Sequence, residues 1–192
     1  MHADLNLGLR GWVETDASRA LLNLGGPSDT RAPQLVTLFA PRRVPDIAAA
    51  YAVYNWDFGT GRRTMPLNMP AVSMLGLTTA PGETFYLPST GYDIGDGQNA
   101  LVLYAAPSRI TLKYTREDNV ANGYTLHIEN VCVDPQLLAL YQSLDDAGRR
   151  RLPGIHNGQS LGRAAGGRIL VGIQDSGAWM DPRARKDWWQ ER

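Results

Sequence analysis

The chain has 192 residues, of which 43% are hydrophobic and 20% charged, and its apolar runs are short, none longer than the eight residues Ile47–Tyr54. Those proportions exclude a stapled miniprotein, wholesale disorder and a membrane-spanning helix, leaving a globular chain long enough to bury a sizeable core. Basic and acidic residues balance at 19 each, which removes the broad electrostatic reason to expect nucleic acid or an anionic membrane as partner.

The opening residues Met1-His2-Ala3-Asp4 lack the basic and apolar regions of a signal peptide. Scattered glycine and proline, including Gly25-Gly26-Pro27-Ser28-Asp29 and Pro41-Arg42-Arg43-Val44-Pro45, mark frequent turns. Between the turns lie β-branched and aromatic segments, Leu35–Phe39, Ala50–Trp56, Ala71–Leu77, Ala100–Tyr104, Arg109–Tyr114, Tyr124–Val133 and Arg168–Gln174. Short strands at such spacing predict a mainly β fold, an antiparallel β-sandwich or partly open barrel. Residues 1–84 read as an N-terminal β-rich lobe and 85–192 as the sandwich domain, with the boundary near Ala80-Pro81-Gly82-Glu83.

In Arg109-Ile110-Thr111-Leu112-Lys113-Tyr114 the apolar and polar side chains alternate, as a half-buried strand requires. Tyr124–Glu129 alternates likewise and places Thr125, His127 and Glu129 on its polar side, where His127 and Glu129 read as a surface pair. Val131-Cys132-Val133 continues the apolar pattern, and Cys132, the single cysteine, is expected to be buried; it permits neither an intrachain disulfide nor a paired-thiolate zinc site. Asp134-Pro135 then opens one inserted helix, about 135–151, with Leu137, Leu140, Tyr141 and Leu144 on one stripe and Arg149, Arg150 and Arg151 in its last turn. Those arginines read as a solvated helix end or an anion-binding patch. Pro153-Gly154 stops the helix.

Nucleophilic catalysis would need an imidazole base, and of His2, His127 and His156 only His127 lies within a predicted strand. No phosphate-binding loop occurs. Asp57, Glu83, Asp93 and Asp96 could supply paired carboxylates, but their spacing selects no pair. Asp93-Ile94-Gly95-Asp96-Gly97 reads as an Asx turn, since it lacks the ladder of oxygen ligands of a calcium loop. Trp56 and Trp179 are expected to pack in the core, whereas Trp188-Trp189 could present an aromatic face to a sugar ring.

From Gly91 to Pro182 a succession of motifs resembles the catalytic domain of lysostaphin-type zinc endopeptidases, which cut peptidoglycan cross-links. These are Gly91-Tyr92-Asp93-Ile94, Gly123-Tyr124 before Thr125-Leu126-His127-Ile128, Tyr141-Gln142-Ser143-Leu144, Gly158-Gln159-Ser160-Leu161-Gly162, the strand Arg168–Ile173 and Met180-Asp181-Pro182. The resemblance implies a β-sandwich and an extracytoplasmic, secreted location. Its metal ligands do not carry over. The first histidine position falls on Ser89, the aspartate survives as Asp93, the His-x-His positions fall on Arg168 and Leu170, and the further catalytic histidine falls on Ser143. A zinc site that needs three protein ligands is left with one carboxylate, so neither a metal, another cofactor nor a catalytic residue is expected.

The expectation is a non-catalytic binding or structural module recognising glycan or peptidoglycan through Tyr92, Asp93, Arg168, Trp188 and Trp189. The alternatives are a hydrolase acting on polysaccharide or cell wall through carboxylates or His127, and a scaffold component docking through an apolar patch. Oligomeric state is open.

Overall fold

The computed structural model describes residues 2–190; Met1 of the expected N-terminal lobe and Glu191 and Arg192 of the expected sandwich domain lie outside the described residues. In chain order the elements are α1 (Leu7–Arg10), β1 (Trp12–Thr15), a 3₁₀ turn (Leu35–Thr37), β2 (Ile47–Asp57), β3 (Arg62–Pro66), β4 (Met74–Thr78) and β5 (Thr84–Tyr86). There follow β6 (Ala100–Ala106), β7 (Arg109–Lys113), β8 (Tyr124–Glu129), β9 (Val131–Val133), α2 (Pro135–Asp146), β10 (Gly154–Ile155), β11 (Ser160–Ala164), β12 (Arg168–Asp175), β13 (Ala178–Trp179) and α3 (Arg185–Trp188).

The fold is mainly β and antiparallel. A large open sheet runs β1-β2-β4-β12-β8-β7-β6-β10, with β3 added to β2 and β13 to β12, and a small sheet runs β5-β11-β9. Strands from before residue 84 and after it share the large sheet: β4 pairs β12 from Arg168 opposite Thr78 to Gly172 opposite Met74.

The alternation predicted for β7 and β8 decides where the core sits, and β12 joins them. Ile110, Leu112, Leu126, Ile128, Ile169, Val171 and Ile173 turn to one face and join Phe85, Val131, Val133 and Leu161 of the small sheet in one buried cluster. Each such side chain contributes about 1.5–3 kcal/mol by leaving water. The opposite face is covered as well, by Leu7 of α1 packed with Tyr51, Val53, Met74 and Leu170. Thus the polar side of β7 and β8 is buried rather than wetted, and Thr111, Lys113, Thr125, His127 and Glu129 all lie inside the molecule.

Leu35–Phe39 is not a strand. Leu35, Val36, Leu38 and Phe39 are all buried, and this non-alternating segment tightens into the 3₁₀ turn, where Thr37 Oγ1 donates to the Gln34 carbonyl at 2.7 Å. The predicted strand Tyr124–Val133 breaks at Asn130, whose φ of 63° turns the chain from β8 in the large sheet to β9 in the small one. Val131 and Val133 take the inward positions of β9, and the two-residue period therefore puts Cys132 in solvent.

Helix α2 starts as predicted. Asp134 Oδ1 accepts from the N–H groups of Gln136 and Leu137 at 2.9 and 3.0 Å, and Pro135 fills the first turn. The helix ends at Asp146, short of the three arginines, because Gly148 and Arg149 follow in left-handed conformations (φ 91° and 59°). Arg149 folds back as a clamp. Its Nη1 donates to Tyr141 and Asp145 at 2.9 and 2.6 Å, its Nη2 to the Leu103 carbonyl and Asp118 at 2.8 and 2.5 Å, and its Nε to Asp118 at 2.9 Å. One guanidinium thus ties α2 to β6 and to the loop after β7. Arg149→Ala is expected to cost about 2 kcal/mol of stability in urea unfolding, and Arg149→Lys to recover less than half, because an ammonium cannot reproduce the planar fork.

Candidate functional site

The loop after Pro27-Ser28 presents Asp29, a short acid whose Oδ1 accepts the Arg31 N–H at 2.8 Å in an Asx turn. Its Oδ2 accepts from two phenols, Tyr92 at 2.5 Å and Tyr124 at 3.2 Å. Tyr124 is the first residue of β8. Tyr92 is placed by a segment that runs beside residues 31–34: Gly91 N–H donates to the Arg31 carbonyl at 3.0 Å, Thr90 Oγ1 to the same oxygen at 2.5 Å, and Gln34 N–H to the Ser89 carbonyl at 2.9 Å. The approach is close enough to demand glycine, since a Cβ on Gly91 would stand 2.8 Å from Arg31 Cγ and 3.2 Å from its Cα. That contact delivers the Arg31 guanidinium over the Tyr92 ring, 4.4 Å from its centroid.

Burial alone would raise the Asp29 carboxyl, but the Tyr92 and Tyr124 hydroxyls, the Arg31 N–H and the Arg31 charge together hold it below the usual carboxylate range. Burial and the Asp29 charge push both phenols upward. At neutral pH the group is therefore one ionised acceptor and two neutral donors. A carboxylate offers about four lone-pair positions; three are filled, leaving one for a ligand.

Beside Asp29 and Tyr124 opens a cleft of about 200 Å³ walled by Ala32, Met180 and Trp188. The Tyr124 ring meets Trp188 edge-on at 5.7 Å and Tyr92 at 6.1 Å. Lys186, also on the rim, is engaged by the Pro27 carbonyl at 2.7 Å and by Asp187 at 2.8 Å.

Of the residues expected to form a site, Trp188 lines this cleft and Tyr92 reaches it only through its bond to Asp29. Trp188 is only 1% exposed and Trp189 only 4%, so neither indole is an open platform. They lie at the end of α3 with Nε1 donating to the Asp181 and Pro182 carbonyls at 2.9 and 2.8 Å. The half-buried indoles are instead Trp12, Trp56 and Trp179, the last two of which had been expected in the core. Asp93 closes its own turn on Gly95 N–H at 2.6 Å. Arg168 donates to Tyr51 at 2.8 Å, and its carbonyl accepts from Asn130; it has no partner in common with Asp93. Asp29, Arg31 and Tyr124 carried no sequence signal as a site, because Asp29 stands 63 residues from Tyr92 and 95 from Tyr124. The only local mark of Asp29 is its Pro-Ser-Asp turn.

At the positions that the motif resemblance aligns with metal ligands, the side chains have other neighbours. Leu170 is buried against Leu7 and Met74, Arg168 holds Tyr51, and among the described residues no group of three His, Cys, Asp or Glu side chains is placed to hold a metal ion.

The second predicted pair is sealed beneath α1. Both nitrogens of His127 are engaged, Nδ1 with Thr111 Oγ1 and Nε2 with Gln174 Oε1, each at 3.1 Å, and the ring stacks on Trp179 at 5.3 Å. Thr111 also donates to the Leu5 carbonyl at 2.6 Å. Glu129 pairs with Arg109 Nε at 2.9 Å, and Arg109 Nη1 donates to Asn6 Oδ1 at 2.9 Å. The surface reading of His127 and Glu129 therefore gives way to a buried row, and both nitrogens of the His127 ring already have neighbours at hydrogen-bond distance.

The chain matches no protein-family profile and no curated protein sequence. Among solved structures it resembles a zinc-containing peptidase from Vibrio cholerae, with 14% identity and a TM-score of 0.45 over 80% of this chain and 40% of that one. It also resembles Csd3 from Helicobacter pylori, with 10% identity and a TM-score of 0.42 over 76% of this chain and 33% of that one. The chain thus spans well under half the length of either.

The buried row predicts opposed pH dependences. Burial raises Glu129 to about 7 from 4.5, with Arg109 opposing, so the folded state holds the extra proton and this group's contribution is lost as pH rises toward 7. Burial lowers His127 to about 4 from 6.5, so its contribution is present above 6.5 and lost as pH falls toward 4. In the wild type the two slopes largely cancel between 4.5 and 6.5. Urea unfolding across this range should show Glu129→Gln losing stability on acidification and His127→Gln gaining it; equal slopes in both variants would contradict the assignment.

Proposed function

We propose that the chain is a non-catalytic, extracytoplasmic binding module for a hydroxyl-rich ligand, a glycan of the cell-wall type, held in the Asp29 cleft. The observation that carries this reading is the ionised Asp29 carboxylate fixed by Tyr92 and Tyr124 at the mouth of a small cleft. A preorganised carboxylate with one acceptor position open suits a sugar hydroxyl, and the half-buried Met180 on the cleft wall offers an apolar contact to the ring. At about 200 Å³ the cleft matches one sugar residue better than an extended chain. The motif succession from Gly91 to Pro182 supports the same reading. It resembles a fold used on peptidoglycan, while Ser89, Ser143 and Leu170 stand where that chemistry needs imidazoles. We read the chain as a degenerate relative of lysostaphin-type domains that keeps recognition and has lost the reaction.

Calorimetric titration with soluble peptidoglycan fragments and a panel of neutral oligosaccharides tests it. Saturable binding is expected, weakened about tenfold by Asp29→Asn, the loss of one charge-assisted hydrogen bond of about 1.5–3 kcal/mol, and to a lesser degree by Tyr92→Phe. Absence of heat across the whole panel, or an Asp29→Asn variant that binds like the wild type, overturns it.

A further inference from the structure

A second cavity, of about 370 Å³, lies between the turn at residues 94–98 and the segment at 150–154 and is lined by Arg116, Arg150 and Arg151 together with Gln98 and Asp96. Two of the three arginines predicted at the helix end therefore reach a concave surface. Arg149 is saturated by its clamp, whereas no hydrogen bond or ion pair occupies the guanidinium groups of Arg150 and Arg151 among the described residues.

Arg116 is held in place by the turn itself. Its Nε donates to the Ile94 carbonyl, and its guanidinium lies across Gly95, whose φ of 106° and lack of a side chain make room for it. Any Cβ at Gly95 would collide with Arg116 Nη2. The lining thus sets three guanidinium forks against one carboxylate, Asp96; planar forked donors are matched by carboxylate or phosphate oxygens.

Gln98 adds a different requirement. Its Oε1 is buried and has no hydrogen-bond partner, which native structures rarely leave uncompensated. The side chain is backed by Gly154, where a Cβ would stand 3.0 Å from Gln98 Cγ. A carbonyl oxygen cannot serve an anion; it calls for a donor, such as a hydroxyl carried by the same ligand.

We infer that this cavity binds an acidic carbohydrate, a sugar phosphate or a uronic acid, with the oxyanion on Arg116, Arg150 and Arg151 and a neighbouring hydroxyl donating to Gln98. The inference stands apart from the Asp29 cleft. It is tested on the full chain by calorimetry with glucose 1-phosphate, glucuronate, glucose and inorganic phosphate. At least one acidic sugar is expected to bind saturably and at least tenfold tighter than inorganic phosphate, whereas any heat from neutral glucose belongs to the Asp29 cleft and disappears in Asp29→Asn; which of the two acidic sugars binds names the oxyanion. The double variant Arg150→Ala/Arg151→Ala, exposed at both positions and checked for folding by circular dichroism, should weaken binding at least tenfold. Gln98→Met should bring acidic-sugar affinity down to that of phosphate, and Asp29→Asn should leave it unchanged. No binding of either acidic sugar, phosphate binding as tightly as both, or indifference to the double arginine variant overturns the inference.

Discussion

The central strands of the large sheet are covered on both sides, and the rest of the molecule is arranged around that constraint. One face of β7, β8 and β12 is apolar and meets the small sheet. The other carries Arg109, Thr111, Lys113, Thr125, His127, Glu129 and Gln174, yet it too is closed over by the N-terminal segment. Polar groups that leave water must find partners inside. The His127 bonds, the Glu129 ion pair and the Lys113 ammonium, which donates to the Asn122 carbonyl and is lowered to about 8 chiefly by burial, are what the second face requires.

That constraint also explains what could be read from the sequence. Alternation gave the apolar face of β7 and β8 correctly, because a two-residue period needs only the local chain. It could not say that the polar face is roofed, since the roof comes from Leu5 and Asn6, more than a hundred residues away in sequence. Cys132 shows the same limit at a smaller scale. Three apolar residues in a row look like core, but β9 follows a reversal at Asn130 and exposes the middle one. Where the signal is local, as in the Asp134-Pro135 helix start, sequence and structure coincide. The helix end was misplaced because the left-handed turn at Gly148 and Arg149 is stabilised by the tertiary clamp onto Leu103 and Asp118.

The Asp29 cleft was the least legible part. Tyr92 was picked out by its place in a motif and Trp188 by its residue type, but the acid that organises them lies in a loop that local reading leaves featureless. Its value comes from the crossing of three distant segments, locked where Gly91 lies against Arg31. Trp188, expected to be an open surface, serves instead as a buried support for Tyr124. The arginines after α2 divide in the same manner, one spent on holding the fold and two left facing a concavity.

The exposed side chain of Cys132 has a practical corollary. It is the sole thiol of the chain and projects from β9, an edge strand of the small sheet. A maleimide dye or spin label would attach there stoichiometrically without any engineered cysteine, giving a reporter on a strand separate from both cavities. In an oxidising medium the same atom offers a route to covalent dimers, so preparations are best kept reduced or alkylated.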